Sequence, residues 1–429
     1  MNKAKTIALI AGFGFFFLAL LIQGILPYLM KPMRGENYLA VTRTVRTGLG
    51  ELIDIQAETA PVTDPVIARG RKVYIREGCW YCHSQYTRPV AGEERRWGPA
   101  SEVGEYAYDL PHLLGTRRIG PDLIRVGSKY GDDWHAAHFF DPREVVPDSI
   151  MPKFTWLFKK EGERFVPNEE GKAVVAYVQN LGMSKGKWRD LFPYQAVQAG
   201  SASFGTAISV GHGKAVYRRR CMGCHGEKGD GKGIAPSTVQ FGIAQPRDFT
   251  AGVFKFRMTP TGSLPLDSDL YRTITAGIRG TAMPPWFNLS EQDRWDVIHY
   301  IKTFSPDFKD FPPEPPITVP RPPRPTPELI AQGKKVFVDM KCWECHGSMG
   351  KGDGPKSAEL KDDSGDRIPP ANFTKGMFKS GSRPEDIFRT FMTGLSGTPM
   401  PSFSDSFTSP DDGWALTFFV LSLSADGRP

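Results

Sequence analysis

Cysteine is scarce in this 429-residue chain: there are six, and none lies outside three copies of Cys-x-x-Cys-His. With none left over, no copy can gain the second pair that a four-ligand zinc site needs. A disulfide scaffold fits poorly as well, because a bridge inside Cys-x-x-Cys closes too small a loop to stabilise much. No basic tract interleaved with aromatics occurs, so nucleic acid is not an expected partner. The formal charge of +7 leaves an acidic partner open but decides little, because a bound prosthetic group would bring charges of its own.

What is present is the triplet itself, Cys79-Cys82-His83, Cys221-Cys224-His225 and Cys342-Cys345-His346. Two thiols at this spacing reach the two vinyl groups of one haem, and the adjacent histidine falls beneath the iron. Three covalently bound haem c groups are therefore expected, with His83, His225 and His346 as axial ligands. At roughly 150 residues per domain, the length fits one domain per haem.

Ile7 to Met30 is an apolar run without a single acidic or basic residue. At 1.5 Å per residue it covers roughly 36 Å, more than the ~30 Å hydrocarbon core. It reads as an uncleaved anchor. A cleaved signal peptide is the competing reading, opposed by the length of the run and by the lack of a clean small-x-small site after it. Lys3 and Lys5 before the run and Lys31 and Arg34 after it do not orient it. Haem attachment on the outer side does, which places a single-pass chain in a bacterial inner membrane with its haem domains in the periplasm.

Alignment on the motifs exposes an internal repeat. Asp64 and Pro65 begin a predicted helix in which Val66, Gly70, Val73 and Tyr74 follow helical spacing. Gly213, Val216 and Tyr217 repeat its core, as do Gly333, Val336 and Phe337 behind Thr326-Pro327. A helix with an apolar stripe follows each motif: Val174, Val175, Tyr177 and Val178; Trp295, Val297, Ile298 and Ile301; Trp414, Leu416, Phe418, Phe419 and Leu423. These stripes predict crossed helix pairs, with the glycine allowing close approach. The pattern resembles the class I cytochrome c fold, a small all-α domain around one haem.

Each repeat also supplies a Met-Pro pair, Met151-Pro152, Met283-Pro284 and Met400-Pro401, and the three methionines are the expected sixth ligands. Proline restricts the residue before it, which helps to hold a weak thioether ligand. His/Met ligation closes both axial positions and suits electron transfer rather than oxygen activation. The resemblance implies a proline carbonyl as acceptor for the iron-bound imidazole, and Pro121 in Gly120-Pro121-Asp122-Leu123 matches that position. Pro246-Arg247-Asp248-Phe249-Thr250 and Pro370-Ala371-Asn372-Phe373-Thr374 are the parallel candidates. The expected architecture is all-α: a transmembrane anchor over 1–40, then class I cytochrome c domains over 41–185, 205–305 and 328–429. Ten prolines make 306–327 a semi-rigid extended spacer, whereas 186–208 reads as flexible.

The first repeat differs by an insertion that runs from Gly92-Glu93-Glu94-Arg95-Arg96-Trp97-Gly98-Pro99 through Gly104 to Arg117-Arg118. Together with Gly78-Cys79-Trp80-Tyr81-Cys82-His83-Ser84-Gln85, Trp134-His135-Ala136-Ala137-His138 and Val146-Pro147-Asp148-Ser149-Ile150-Met151-Pro152, it resembles the mono-haem subunit II of cbb3-type haem-copper oxidases, the FixO-type family. The resemblance covers residues 1 to about 185. It implies an anchored cytochrome c held against a catalytic haem-copper membrane subunit that reduces oxygen, with His83 and Met151 matching the axial ligands. His112, His135 and His138 are then structural donors or partner contacts, and Arg95, Arg96, Arg117 and Arg118 meet propionates or the partner. The family's subunit ordinarily ends after one haem; here two further modules follow.

The leading expectation is a tri-haem subunit, no enzyme by itself, that delivers electrons from a periplasmic donor, a cytochrome c or a quinol-oxidising complex, to that catalytic subunit. The alternatives are the cytochrome c subunit of a nitric oxide reductase and an anchored redox wire without an oxidase. A multi-haem peroxidase or nitrite reductase would need an open distal position, which three Met-Pro pairs oppose.

Overall fold

The computed structural model describes residues 2–29, 39–46, 52–115, 117–191, 207–242, 244–287, 289–407 and 410–424. Lys31, Arg34 and most of the expected flexible stretch over 186–208 lie outside them.

Helix α1, Lys3–Ala19, continues through a π-helical segment, Leu20–Ile25, into Leu26–Leu29. The span Lys3–Ile25 has a mean hydropathy of 2.3 and packs against no protein, so it is long and apolar enough to cross a membrane, as an anchor or a signal segment is.

The fold is mostly helical, yet two antiparallel hairpins depart from the all-α expectation. Strand β1, Ala40–Arg46, pairs with β2, Leu52–Glu58, and β3, Phe158–Glu161, pairs with β4, Arg164–Pro167. The two-residue alternation of Val41, Arg43 and Val45 and of Ile53 and Ile55 is a strand period rather than a helical one. In the second hairpin, Gly162 supplies the positive φ of +62° that a tight two-residue connection needs.

Three helix pairs repeat along the rest of the chain. In the first, α2, Pro65–Arg76, begins on Asp64, whose side chain accepts from the Val66 and Ile67 amides. After α3, Asp132–Phe140, the chain returns in α4, Glu169–Asn180, capped by Asn168. The second pair is α5, Val210–Arg220, with α6, Asp267–Ala276, between it and α7, Glu291–Lys302. The third is α8, Pro327–Asp339, with α9, Pro384–Thr393, and α10, Pro410–Ser422. In each pair the crossing point is a glycine against a carbonyl. A Cβ on Gly70, Gly213 or Gly333 would stand 1.9 Å, 2.0 Å or 1.9 Å from the carbonyl oxygens of Ala173, Asp296 and Ala415. Three apolar cores result, built on Tyr74 and Tyr177, on Tyr217 and Ile298, and on Phe337 and Leu416.

The three units are in contact. Ala137 and Val145 of the first pack with Ala235, Phe241 and Ala282 of the second. The Gln240 amide donates to the Phe165 carbonyl at 2.9 Å, and Arg219, from the run Arg218-Arg219-Arg220, pairs with Asp148 at 2.7 Å. Between the second and third units, the fully buried Arg257 donates to the Thr393 carbonyl at 2.8 Å. The proline-rich stretch is extended but not free: the Ile317 amide donates to the Met258 carbonyl at 2.7 Å, and Val319 packs beside Phe388 and Trp414.

Candidate functional site

Each Cys-x-x-Cys-His motif closes the first helix of its pair with one tight turn: Cys79–Tyr81 after α2, Met222–His225 after α5 and Trp343–His346 after α8. The turn brings both thiols and the imidazole close together along the chain, and in the second unit all three line one cavity. Nδ1 of His83 lies 2.8 Å from the Pro121 carbonyl, Nδ1 of His225 3.1 Å from that of Arg247, and Nδ1 of His346 3.1 Å from that of Ala371. A carbonyl only accepts, so Nδ1 carries the proton and Nε2 keeps a free lone pair, the state a metal ligand needs. In the first unit the acceptor is thus the Pro121 carbonyl, whereas in the second and third it is that of the residue after the proline. Gly120 makes the first contact feasible, since a Cβ there would lie 2.2 Å from His83 Cε1. Burial favours the neutral ring, pushing His225 down to about 4 and holding His83 and His346 below the ordinary histidine value.

The methionine loops share a device that the sequence reading passed over. A hydroxyl two residues upstream accepts from the methionine amide: Ser149 for Met151 at 3.3 Å, Thr281 for Met283 at 3.2 Å and Thr398 for Met400 at 3.2 Å. The signal, Ser/Thr-x-Met-Pro, is visible three times once it is looked for. Each methionine packs against the core of its own unit. A second missed feature is a phenyl ring stacked on the imidazole, Phe249 on His225 at 4.5 Å and Phe373 on His346 at 4.4 Å.

Cys221, Cys224, His225 and Met283 line one cavity with Phe241 and Leu270. This donor set fits a haem: two thiols, an imidazole with a bare Nε2 and a thioether within apolar walls. The thiols do not suit redox exchange, which requires a depressed pKa; burial instead pushes Cys79, Cys221 and Cys224 up to about 12 and Cys342 up to about 11. Among the described residues no three His, Cys, Asp or Glu side chains converge as a metal cluster of their own.

The insertion of the first unit folds on itself through charge. Arg125 and Glu105 form an ion pair with both side chains 1% exposed. Arg118 donates to both oxygens of Glu93 at 2.8 Å and to Ser84 Oγ at 2.7 Å, so it holds the insertion to the motif rather than facing a partner. Its guanidinium, first, and that of Arg88 hold the Glu93 carboxyl far below the usual range. Arg95, Arg96 and Arg117 remain exposed, Arg96 over the Trp97 ring at 4.5 Å. His112 is exposed, while His135 and His138 are kept neutral by burial, both pushed down to about 3. Trp134 stacks on Tyr130 at 3.9 Å and on His138 at 4.7 Å, and it also lines the cavity of the second unit.

Comparison with known proteins matches three segments of the chain. Residues 51–166 match the family described as cytochrome C oxidase, mono-heme subunit/FixO. Residues 210–305 and 330–424 each match cytochrome c. Among solved structures, a chain from the reducing HAO-like protein complex of Kuenenia stuttgartiensis is 44% identical over 51% of this chain and 100% of its own, with a TM-score of 0.49. The curated proteins give no match.

Proposed function

We propose, for a chain that joins a FixO mono-haem cytochrome oxidase domain to two cytochrome c domains, that it is the anchored electron-delivery subunit of a cbb3-type haem-copper oxidase. Three covalently bound haem c groups supply reversible one-electron chemistry. Cys79 and Cys82, Cys221 and Cys224, and Cys342 and Cys345 attach them. His83 and Met151, His225 and Met283, and His346 and Met400 would hold the three irons. The carbonyls of Pro121, Arg247 and Ala371 orient the imidazoles, and the apolar cores keep water away.

The observation that carries this reading is a constellation that recurs in every unit: an imidazole held by a carbonyl, and a Met-Pro loop held by a hydroxyl. Closed axial positions leave the chain no bond chemistry, so its task is to pass electrons. The first domain, over 41–185, is the exit, because it alone has the FixO-type insertion. Its site is flanked by exposed apolar side chains suited to a protein partner, Tyr81 at 62%, Ile119 at 56% and Ile150 at 77%. Reducing equivalents from a periplasmic donor enter at the second domain, over 205–305, or the third, over 328–429. Lys3–Ile25 anchors the assembly in the inner membrane.

Purification from the native membrane in mild detergent, followed by partner identification and gas-uptake assay, tests the reading. Co-purification with a haem-copper subunit and oxygen uptake support it. Nitric oxide uptake with a different catalytic subunit, or recovery of the chain alone, contradicts it.

A further inference from the structure

The cavity of the second unit is lined by basic side chains that form no ion pair among the described residues. Arg247 and Lys255 line it from the second domain, and Lys379 stands at its exposed rim from the third. Among the described residues none of the three is in an ion pair, although Asp248, Asp362 and Asp363 lie within electrostatic reach of Arg247. Burial, with the charges of Arg247 and Lys379 added, pushes the Lys255 ammonium down to about 8. Unpaired cations on an apolar cavity are costly unless an anion joins them.

The backbone holds these side chains in place for reasons of its own. The Arg247 carbonyl meets the His225 ring at 3.1 Å, which places the Arg247 main chain beside the site. Phe378 is buried in the third core, and Ser380 bonds to Thr390 at 2.8 Å, which fixes the chain on both sides of Lys379. Arg257 and Thr261 both donate to the Thr393 carbonyl, at 2.8 Å and 2.9 Å, and lock the two domains in register. An apolar cavity lined by two thiols and three unpaired cations is complementary to an apolar ring that bears carboxylates.

We infer that Lys379, together with Lys255 and Arg247, binds the propionate carboxylates of the haem attached at Cys221 and Cys224, so that the third domain completes the site of the second. This rests on the haem reading above. It makes the two domains one redox unit: a charge on the third tunes the potential of the second.

The test is a spectroelectrochemical titration of the full-length chain in detergent, with haems counted by pyridine haemochrome, for the parent, Lys255→Met, Lys379→Met and Lys379→Arg. Reduction adds an electron to the site, so removal of a nearby cation disfavours the reduced state and the potential falls. The expected result is a loss of about threefold in the reduction equilibrium of one step, or about 30 mV at about 59 mV per tenfold. Both methionine variants move the same step, and Lys379→Arg leaves it in place. Three haems with no shift in Lys379→Met, or with a shift in a different step from Lys255→Met, overturn the inference alone. Fewer than three haems in the parent overturn the haem reading and the inference with it.

Discussion

Gly70 and Ala173 meet backbone to backbone, with room for hydrogen only: a Cβ on Gly70 would stand 1.9 Å from the Ala173 carbonyl oxygen. The same relationship joins Gly213 to Asp296 and Gly333 to Ala415, so the helix pair under each motif is set by one glycine.

Alanine at any one of these glycines should therefore force its pair apart. The expected cost is about 1–3 kcal/mol or somewhat more, as for overpacking in a tight core. Thermal unfolding followed through the haem absorbance checks it, with a lower midpoint expected in Gly70→Ala, Gly213→Ala and Gly333→Ala.

Loss of a methionine ligand should open one haem and no other. Met151→Ala, Met283→Ala and Met400→Ala are each expected to lower one step of the redox titration and to admit carbon monoxide at one haem. The parent chain is expected to bind none, and carbon monoxide difference spectra read both outcomes.

The Arg125–Glu105 pair is buried on both sides, and Arg125 also donates to the carbonyls of Pro99 and Ala100. Glu105→Ala would leave a buried guanidinium without its counter-ion, at a cost of about 3–5 kcal/mol. Denaturant unfolding should show that loss, whereas Lys172→Ala, which breaks the exposed pair with Glu169, should leave the midpoint unchanged.

Glu144 gives the contact between the first two units a pH dependence. Its Oε2 has no hydrogen-bond partner among the described residues, and burial pushes the carboxyl up from 4.5 to about 7. A carboxyl raised by folding favours the folded state while protonated. Its contribution is whole below about pH 4.5 and is lost as pH rises through about 7. Glu144→Gln should flatten the stability–pH slope in that window and be the more stable form above it, as measured by thermal melts across pH.

Much of this was legible because it is local. Asp64 and Thr326 announce helix starts, and the spacing of Gly333 to Phe337 and of Trp414 to Leu423 gives the packed faces. The motif itself places two thiols and an imidazole within one turn. Pro121 was legible through resemblance, but the shift of the acceptor to Arg247 and Ala371 was not, because a one-residue difference in a loop carries no periodic signal. The strands β1 and β2 were overlooked for an opposite reason: their alternation is plain, but it sits beside a strong helical pattern. Arg257, Lys379 and Glu144 were silent, since the contacts they make join residues far apart in the chain and depend on how whole units pack. The proline-rich stretch reads correctly as extended, yet nothing in its composition announces that Ile317 is bonded to Met258.

In the proposed function, electrons leave through the first domain to an oxygen-reducing partner. Oxygen uptake by the detergent-purified native complex, with the parent chain and with the attachment-deficient variant Cys79→Ala/Cys82→Ala, tests it most directly. The variant complex is expected to retain the catalytic subunit and two haems on this chain but to lose nearly all oxygen uptake from the periplasmic donor. Undiminished uptake in the variant would contradict it.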